Sequence, residues 1–372
     1  MIMWMSRVKK YGYLLEGSEV LLVSLVALVV LELLVGKPLS RFPAYVDWNT
    51  IVTLTGLLLI TTAIKESRFF YWLAYRISTR ITNERNLALF LVAASTILAM
   101  FLTNDIALFI IVPLTLSLQK ISGSNYIKFI VFEAIAVNAG STFTAIGNPQ
   151  NIHLWHQWKI SFPLFSLEML PLEGILLFWL LIGTIWVFPA KKIHSDSRQK
   201  EKVNRSLFWS SVFIFILFLI SAELHYDAYL LAILFVYYSI TKKTVIKNAD
   251  WKLILLFVII FIDVHLLYRL DLVNRFMESL NLKNANTLFA SGVFLSQIIS
   301  NVPATLLLLK YSDSFKVITF AVNVGGNGLL IASFANIIAL HFAKNPKKYL
   351  YFHRYSLLYL LVTSVSVFIL LI

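Results

Sequence analysis

The chain has 372 residues, of which 59% are hydrophobic and only 14% are charged. Ordinary soluble domains carry about 25% charged residues, so this composition excludes a soluble fold and indicates a protein of the lipid bilayer. The net charge of +13 does not indicate a nucleic-acid-binding protein, because the basic residues lie in short segments between apolar stretches. The absence of cysteine excludes disulfides and thiolate metal sites.

A helix needs about 20 mostly apolar residues to cross a bilayer. We therefore predict an all-α integral membrane protein with about nine through-spans. In chain order they lie near 18–36, 48–64, 125–156, 172–188, 207–222, 226–241, 251–267, 316–342 and 355–372. The aromatic and basic segment 66–80 is expected to lie along the inner membrane surface.

Two further apolar stretches, 87–118 and 287–309, are each interrupted by polar residues. The interruptions read Thr103-Asn104-Asp105 and Ser300-Asn301-Val302-Pro303. Both stretches are predicted to form re-entrant helical hairpins, which enter and leave the membrane on one side.

The distribution of basic residues predicts the orientation, because inner loops of membrane proteins are enriched in lysine and arginine. With the N-terminus inside, 24 of the 32 lysine and arginine residues fall in inner segments and eight in outer segments. The inner segments are 1–13, 65–86, 119–128, 189–206, 242–252 and 343–354. We expect a multi-pass protein of the inner or plasma membrane with a cytoplasmic N-terminus and an outer C-terminus.

One sequence pattern occurs twice. "AVNAGSTFTAIGNPQNI" (136–152) aligns without a gap with "AVNVGGNGLLIASFANI" (321–337). This alignment pairs Asn138 with Asn323, Gly140 with Gly325, and Asn151 with Asn336.

The spans that precede the two copies also correspond, because each begins with Asp-Trp, at Asp47-Trp48 and at Asp250-Trp251. Five predicted through-spans separate the two openings. Since five is odd, the second copy is predicted to be inverted. Inverted repeats with broken helices are typical of secondary transporters, whose site lies at the repeat interface.

Unpaired backbone is costly in hydrocarbon, so such breaks persist where protein, water or ligand satisfies them. Freed carbonyls suit a cation, and freed amides at helix N-termini suit an anion. Simpler roles remain open: Asp105 would cap a helix, and the glycines would permit close packing.

Glu133 is a candidate proton relay because ionisable groups inside membranes are functional candidates. His153 and His156 are expected in an aromatic belt near the outer boundary.

The quoted residues resemble the ion transporter superfamily, which includes arsenite permeases, NhaD-type sodium/proton antiporters and divalent anion/sodium symporters. "TNDIALFIIVPLTL" looks like the first hairpin tip of its arsenite-permease and citrate-transporter-like branch, and "IGNPQN" looks like that branch's Gly-x-Pro-x-Asn element. "GGNGLLIASFAN" resembles the second-half counterpart. The hairpin tips depart from the Ser-Asn-Thr typical of the symporters, and position 332 is alanine where related chains often have glycine.

The resemblance implies a fixed scaffold domain and a mobile transport domain, usually in a homodimer. It implies a Na⁺ site at Thr103, Asn104, Asn138 and Gly140, and a second site at Ser300, Asn301, Asn323 and Gly325. The wider set of candidate substrate- and ion-binding residues lies at the two helix breaks and the two hairpin tips. It comprises Thr103, Asn104, Asp105, Asn138, Gly140, Ser141, Thr142, Asn148, Asn151, Ser300, Asn301, Asn323, Gly325, Gly326, Asn327 and Asn336.

The predicted organisation follows the repeats. It comprises scaffold helices (1–64), a hairpin and broken helix (65–160), a linking helix and cytoplasmic loop (161–206), second scaffold helices (207–267), a second hairpin and broken helix (268–344) and a C-terminal helix (345–372).

The leading functional hypothesis is a secondary transporter of a small inorganic or organic anion, coupled to Na⁺ or H⁺, with no other cofactor. The alternatives are a Na⁺/H⁺ antiporter, which would titrate Asp105 or Glu133, and an arsenite efflux permease. An intramembrane enzyme is disfavoured because no nucleophile-and-base or metal constellation appears. The expected partners are the anion, the lipid bilayer and a second copy of the chain, but no nucleic acid.

Overall fold

The computed structural model describes residues 18–36, 39–78, 81–122, 126–192, 203–343 and 345–372. These residues form helices without β-strands, apart from one isolated bridge between Asn83 and Lys192. The basic N-terminal segment 1–17 and residues 193–202 of the predicted cytoplasmic loop lie outside the described residues.

The first half of the chain contains eight α-helices and one 3-10 helix in the described residues. They are α1 (Ser18–Val35), η1 (Leu39–Tyr45), α2 (Trp48–Glu66), α3 (Phe69–Ser78), α4 (Glu84–Phe101), α5 (Asn104–Ser122), α6 (Tyr126–Gly140), α7 (Pro149–Trp158) and α8 (Phe162–Val187).

The second half follows a related order. It contains α9 (Arg205–Glu223), α10 (Asp227–Thr241), α11 (Lys243–Asn248), α12 (Trp251–Leu267), α13 (Asp271–Ser279), α14 (Ala285–Ile299), α15 (Asn301–Leu308), α16 (Phe315–Val324), η2 (Leu330–Ala332), α17 (Phe334–His341) and α18 (Lys348–Leu371).

The two Asp-Trp openings adopt the same local structure. Asp47 is the N-cap of α2 and accepts a hydrogen bond from Thr50 N, while Asp250 is the N-cap of α12 and accepts one from Leu253 N. Such caps satisfy backbone donors that a helix start leaves unpaired. The indole of each following tryptophan donates to a carbonyl five residues earlier. The sequence repeat therefore encodes a repeated helix start.

The predicted breaks agree with the helix bounds. The hairpin stretch 87–118 divides into α4 and α5 at Leu102 and Thr103, and 287–309 divides into α14 and α15 at Ser300. The predicted spans 125–156 and 316–342 are also each interrupted, since α6 is followed by α7 and α16 by α17. Ser300 has a positive φ of 73°, which makes the second tip a sharp turn.

Five described helices are long and apolar enough to cross a membrane, or up to seven if each of two bent helix pairs is one span. The five are α2, α4, α8, α9 and α18. The shorter apolar helices include α14, a hairpin arm, and α16, the first half of a broken helix. They also include α10, which corresponds to the predicted span 226–241. The predicted span near 172–188 is longer than expected, because α8 begins at Phe162 and continues through Pro171.

The helices pack into matching assemblies. The hairpin α4–α5 packs against α6, and the hairpin α14–α15 packs against α16. The second half of each broken helix crosses to the other repeat, so that α7 contacts α15 and α16, while α17 contacts α5 and α6. Helices α8 and α18 pack against each other, and α2 contacts α9 and α10. The two broken helices consequently meet in the interior.

Candidate functional site

Each hairpin tip contacts the broken helix of its own half at a corresponding position. Asn104 N donates to Gly147 O at 3.0 Å, and Ser300 Oγ donates to Ala332 O at 3.3 Å. Gly147 and Ala332 are paired in the sequence repeat, and each lies shortly before the second half-helix. The contacts bring the N-terminus of α5 to that of α7, and the N-terminus of α15 to that of α17.

Gly140 and Gly325 allow the first arm of each hairpin to approach the end of α6 or α16. A Cβ on Gly140 would lie 2.4 Å from the carbonyl oxygen of Thr96, and a Cβ on Gly325 would lie 2.7 Å from Ser296. Both distances are too short for any side chain. The packing interpretation of these glycines is therefore supported by the geometry.

Four asparagines join the two broken helices. Asn138 Nδ2 donates to Asn336 Oδ1 at 2.7 Å, and Asn323 Nδ2 donates to Asn151 Oδ1 at 2.8 Å. Asn138 pairs with Asn323 in the repeat, and Asn151 pairs with Asn336, so the second bond repeats the first. All four side chains are at most 4% exposed. We refer to these four residues as the asparagine junction.

The asparagine junction also satisfies the unwound backbone. Asn151 Nδ2 donates to the carbonyls of Ser141 and Thr144, and Asn336 Nδ2 donates to those of Gly326 and Leu329. Buried carbonyls that lose their helical partners require such donors. These asparagines thus hold the breaks open and hold the two halves together, a role that the sequence interpretation did not assign.

Two further side chains complete the junction. Ser333 Oγ donates to Asn138 Oδ1 at 3.0 Å, and Asn148 Nδ2 donates to Asn323 Oδ1 at 2.9 Å. Asn148 additionally caps α7 by accepting from Asn151 N, and Pro149 occupies the first helical position. Asn148 therefore starts a half-helix and bonds to the opposite repeat at the same time.

Gln297 was missed by sequence reasoning. Its Nε2 donates to the carbonyls of Gly325 and Asn327 at 2.6 and 3.0 Å, and its Oε1 accepts from Leu329 N at 2.8 Å. The segment also requires Gly328, whose φ of +102° is unfavourable for residues with a side chain. A lone glutamine within the apolar stretch before the second tip was the available signal.

Two polar side chains at the breaks have buried atoms without partners. Oδ1 of Asp105 and both amide atoms of Asn327 have no hydrogen-bond partner among the described residues. Asp105 is 4% exposed and Asn327 is fully buried. Since no described backbone N–H reaches Oδ1 of Asp105, the capping interpretation of that oxygen receives no support. Leaving such groups unsatisfied is costly, so both are available to a ligand or ion.

Two buried glutamates lie on helices near the first break. Glu133, the predicted proton relay, accepts a hydrogen bond from Thr115 between α5 and α6. Glu173 on α8 was not singled out from the sequence. Its Oε2 accepts a 2.6 Å hydrogen bond from Thr142 Oγ1, within the first unwound segment. The structure therefore connects Glu173, and not Glu133, to the candidate site.

His153 lies beside the start of α2 and packs edge-on against the ring of Phe261. Its Nδ1 is 2.7 Å from Asp47 Oδ2, which also accepts from Thr50 Oγ1. Burial acts to raise the pKa of Asp47, but the hydrogen bond and coulombic interaction with His153, together with the Thr50 donors, lower it below its usual range. The pair joins the second half of the first broken helix to α2.

His156 makes a second connection one turn further along α7. Thr53 Oγ1 lies 3.0 Å from His156 Nε2 and donates to Asp227 Oδ2 at 2.6 Å. Thr53 and Asp227 are buried, and they belong to α2 and α10. We call the Asp47–His153 and Thr53–His156–Asp227 contacts the histidine clasp. It links α7 to the predicted scaffold helices.

Both positive and negative ends of helix dipoles meet at the candidate site. The N-termini of α5, α7, α15 and α17 carry partial positive charge, while the C-termini of α4, α6, α14 and α16 end at the same breaks and carry partial negative charge. Such an arrangement suits an anion and a cation side by side. The described residues contain no group of three or more His, Cys, Asp or Glu that could hold a metal ion.

An apolar cavity lies elsewhere, between α6, α8 and α18. Its lining includes Phe132, Trp179, Leu180, Tyr355 and Tyr359. None of the candidate site residues contributes to it, and its apolar walls do not suit an anion.

The chain is similar to known proteins over nearly its whole length. A sequence profile described as "Citrate transporter" matches residues 2–316. The inner membrane protein YbiR of Escherichia coli is 40% identical over 352 residues, which cover 92% of this chain and 94% of the relative. The uncharacterized transporter MJ0456 of Methanocaldococcus jannaschii is 31% identical over 326 residues, covering 85% and 86%. The uncharacterized transporter Rv2685 of Mycobacterium tuberculosis is 24% identical over 402 residues, covering 95% and 94%.

Proposed function

This chain belongs to the citrate transporter family, and we propose that it moves a small inorganic or organic anion across the cell membrane, coupled to Na⁺ or H⁺. One observation carries the proposal. The contacts of Asn104 with Gly147 and of Ser300 with Ala332 bring two pairs of helix N-termini together in the interior. Helix N-termini attract anions without a positively charged side chain, and family membership makes a transporter the expected use.

The coupling cation is proposed to bind beside the first tip, at Thr103, Asn104, Asn138 and Gly140. These residues lie where α4 and α6 end, which supplies carbonyl oxygens. Asp105 lies next to this position with a buried, unpartnered oxygen. The second tip has Val302 at the corresponding place. We therefore propose that the first tip is the stronger cation site.

Elevator-type alternating access is proposed as the mechanism. The two hairpins and the two broken helices would move together, because the asparagine junction connects them. Helices α1, α2, α9, α10 and α12 would form the fixed scaffold, and two copies of the chain would associate. In this proposal the second half is inverted relative to the first, the N-terminus is cytoplasmic and the C-terminus is outside.

Transport by purified protein in liposomes tests the proposal. The panel contains citrate, phosphate and arsenite, each with and without Na⁺ and pH gradients. We expect gradient-driven uptake of at least one anion, which Asn104→Ala and Asn301→Ala abolish. Asn281→Ala is the matched control, because Asn281 is exposed and lies outside both breaks. Intact uptake by both tip variants would refute the site, and no uptake of any anion would refute the function.

A second candidate function is supported by Asp105. A buried carboxyl at a tip could exchange a proton for Na⁺, as in a Na⁺/H⁺ antiporter. Na⁺-driven proton movement in liposomes that contain no transportable anion would favour this function, and its loss in Asp105→Asn would identify the group. Increased arsenite resistance of cells that express the protein would instead favour an arsenite efflux permease.

A further inference from the structure

Glu173 lies on a helix that is long and apolar enough to cross a membrane. It is near the middle of the 26-residue helix α8 and is 3% exposed. Its Oε2 accepts the hydroxyl of Thr142, whereas its Oε1 is buried and has no partner among the described residues. Oε2 is thus bonded to the first unwound segment, and Oε1 is free to carry a proton.

Among the described residues, the hydroxyl of Thr142 is the one hydrogen-bond donor to the Glu173 carboxyl. Helices α4, α6, α16 and α18 pack against α8. Their basic residues lie in or near the first two turns, and Lys316 is paired with Glu168 at 2.6 Å. The titratable groups nearer the middle are Glu133 on α6 and Tyr359 on α18, whose hydroxyl donates to Leu176 O. A buried carboxylate without a counter-charge is costly, so a proton on Glu173 Oε1 would stabilise this arrangement.

The corresponding contact in the second half is uncharged. There Ser356 on α18 accepts a hydrogen bond from Gly328 N at 2.8 Å. In each half, a side chain of the last helix (α8 or α18) therefore bonds to the unwound segment. In the first half this side chain is a carboxyl, and in the second half it is a hydroxyl. The difference makes the two breaks chemically unequal.

We propose that Glu173 is a proton-binding site of the transport cycle. A proton from water on one side joins Oε1 and remains there while the group is buried. It returns to water on the other side after the transport domain has moved and the unwound segment has rearranged around Thr142. This inference rests on the proposed function, which it deepens by assigning the proton to one residue.

Glu173 fits this role better than Glu133. Glu133 bonds to Thr115 between two helices that pack together as one unit, away from residues 141–148. Glu173 bonds directly to the segment that forms the candidate site. A coupled proton must respond to the occupancy of that site, and of the two glutamates Glu173 is the one with a described hydrogen bond to the unwound segment.

Infrared difference spectroscopy tests proton binding without any transported substrate. In a pH titration of the wild-type protein in detergent, a carbonyl-stretch component of a protonated carboxylic acid should disappear as the pH rises. Glu173→Gln should lack this component. Glu168→Gln should retain it, because Glu168 lies on the same helix but is half-exposed and paired with Lys316. An unchanged component in Glu173→Gln overturns the proposal.

A transport measurement tests the coupling itself, with whichever anion of the panel the wild-type protein accumulates. At zero membrane potential, one co-transported proton lets a gradient of one pH unit raise the accumulation ratio about tenfold. Glu173→Gln should reduce that factor to about one while it continues to exchange the anion, and Glu173→Asp should restore part of it. If the variant retains the tenfold factor, Glu173 is not the coupling site. If the wild-type protein moves no anion, the proposed function fails, while the infrared result still decides whether Glu173 binds a proton.

Discussion

Asn138 and Asn336 lie 198 residues apart in sequence, yet they share a 2.7 Å hydrogen bond in the interior of the protein. Asn323 and Asn151 repeat the contact at 2.8 Å with the roles of the two halves exchanged. The same amides bond to the carbonyls that the helix breaks leave free. The asparagines are therefore the connection between the repeats, so ligand binding at one break is expected to affect the other.

The junction predicts coupled losses of stability. Asn138→Ala leaves the buried amide of Asn336 short of a partner and should lower the free energy of unfolding by about 1–3 kcal/mol. The double variant Asn138→Ala/Asn336→Ala should lose clearly less than the sum of the single losses, since the two residues share a bond. Unfolding of the detergent-solubilised protein by denaturant measures these values. Strict additivity would show that the pair does not interact, and exposed Asn281→Ala should be neutral.

The close approach at Gly140 predicts a strong effect of one methyl group. Gly140→Ala would place a Cβ 2.4 Å from the backbone oxygen of Thr96, which cannot yield as a flexible side chain can. We expect a loss of thermal stability and of transport. Gly174→Ala is the control, because a Cβ there meets nothing within 4 Å. In the interior of a helix, this control should be neutral or up to about 1 kcal/mol stabilising. Equal behaviour of the two variants would contradict the packing.

Gln297 predicts a local effect on backbone protection. Gln297→Glu replaces the amide that donates to the carbonyls of Gly325 and Asn327 with a carboxylate that cannot donate. Hydrogen exchange of residues 325–329 should become faster in this variant, with little change at residues 141–148. Asn281→Asp, which converts an exposed amide to a carboxylate outside both breaks, serves as the control. Unaltered exchange at 325–329 would show that Gln297 does not hold the second break.

The histidine clasp predicts a shift between conformations. Thr53→Val removes the hydroxyl that connects His156 with Asp227, so the attachment of α7 to α2 and α10 should weaken. Spin labels at Lys159→Cys, the exposed C-cap of α7, and at Tyr229→Cys on α10 measure the change, and the natural sequence has no cysteine to interfere. The distance distribution should broaden in Thr53→Val. It should stay the same in Thr55→Val, because Thr55 bonds only within its own helix, to Ile51 O.

The positions of the breaks were predictable, whereas the contacts across them were not. Polar tips inside apolar stretches and the repeated "AVN" pattern locate the interruptions at Thr103 and Ser300, because runs of polar residues inside apolar segments are typical of interrupted membrane helices. By contrast, Thr142 and Glu173 are 31 residues apart and Asp47 and His153 are 106 apart. Helical periodicity reveals neighbours on one helix only. The sequence alone therefore reveals neither the bond of Glu173 to Thr142 nor that of His153 to Asp47.

The asparagine junction has an electrical consequence. Moving one elementary charge across the membrane potential involves about 2.3 kcal/mol per 100 mV. Asn138, Asn151, Asn323 and Asn336 hold the centre of the protein together with dipoles and no net charge. This joint can change its depth in the bilayer without work against the field. Any voltage dependence of the transport cycle therefore reports the charge of the transported ions and of the buried carboxyls near them, Asp105, Glu133 and Glu173.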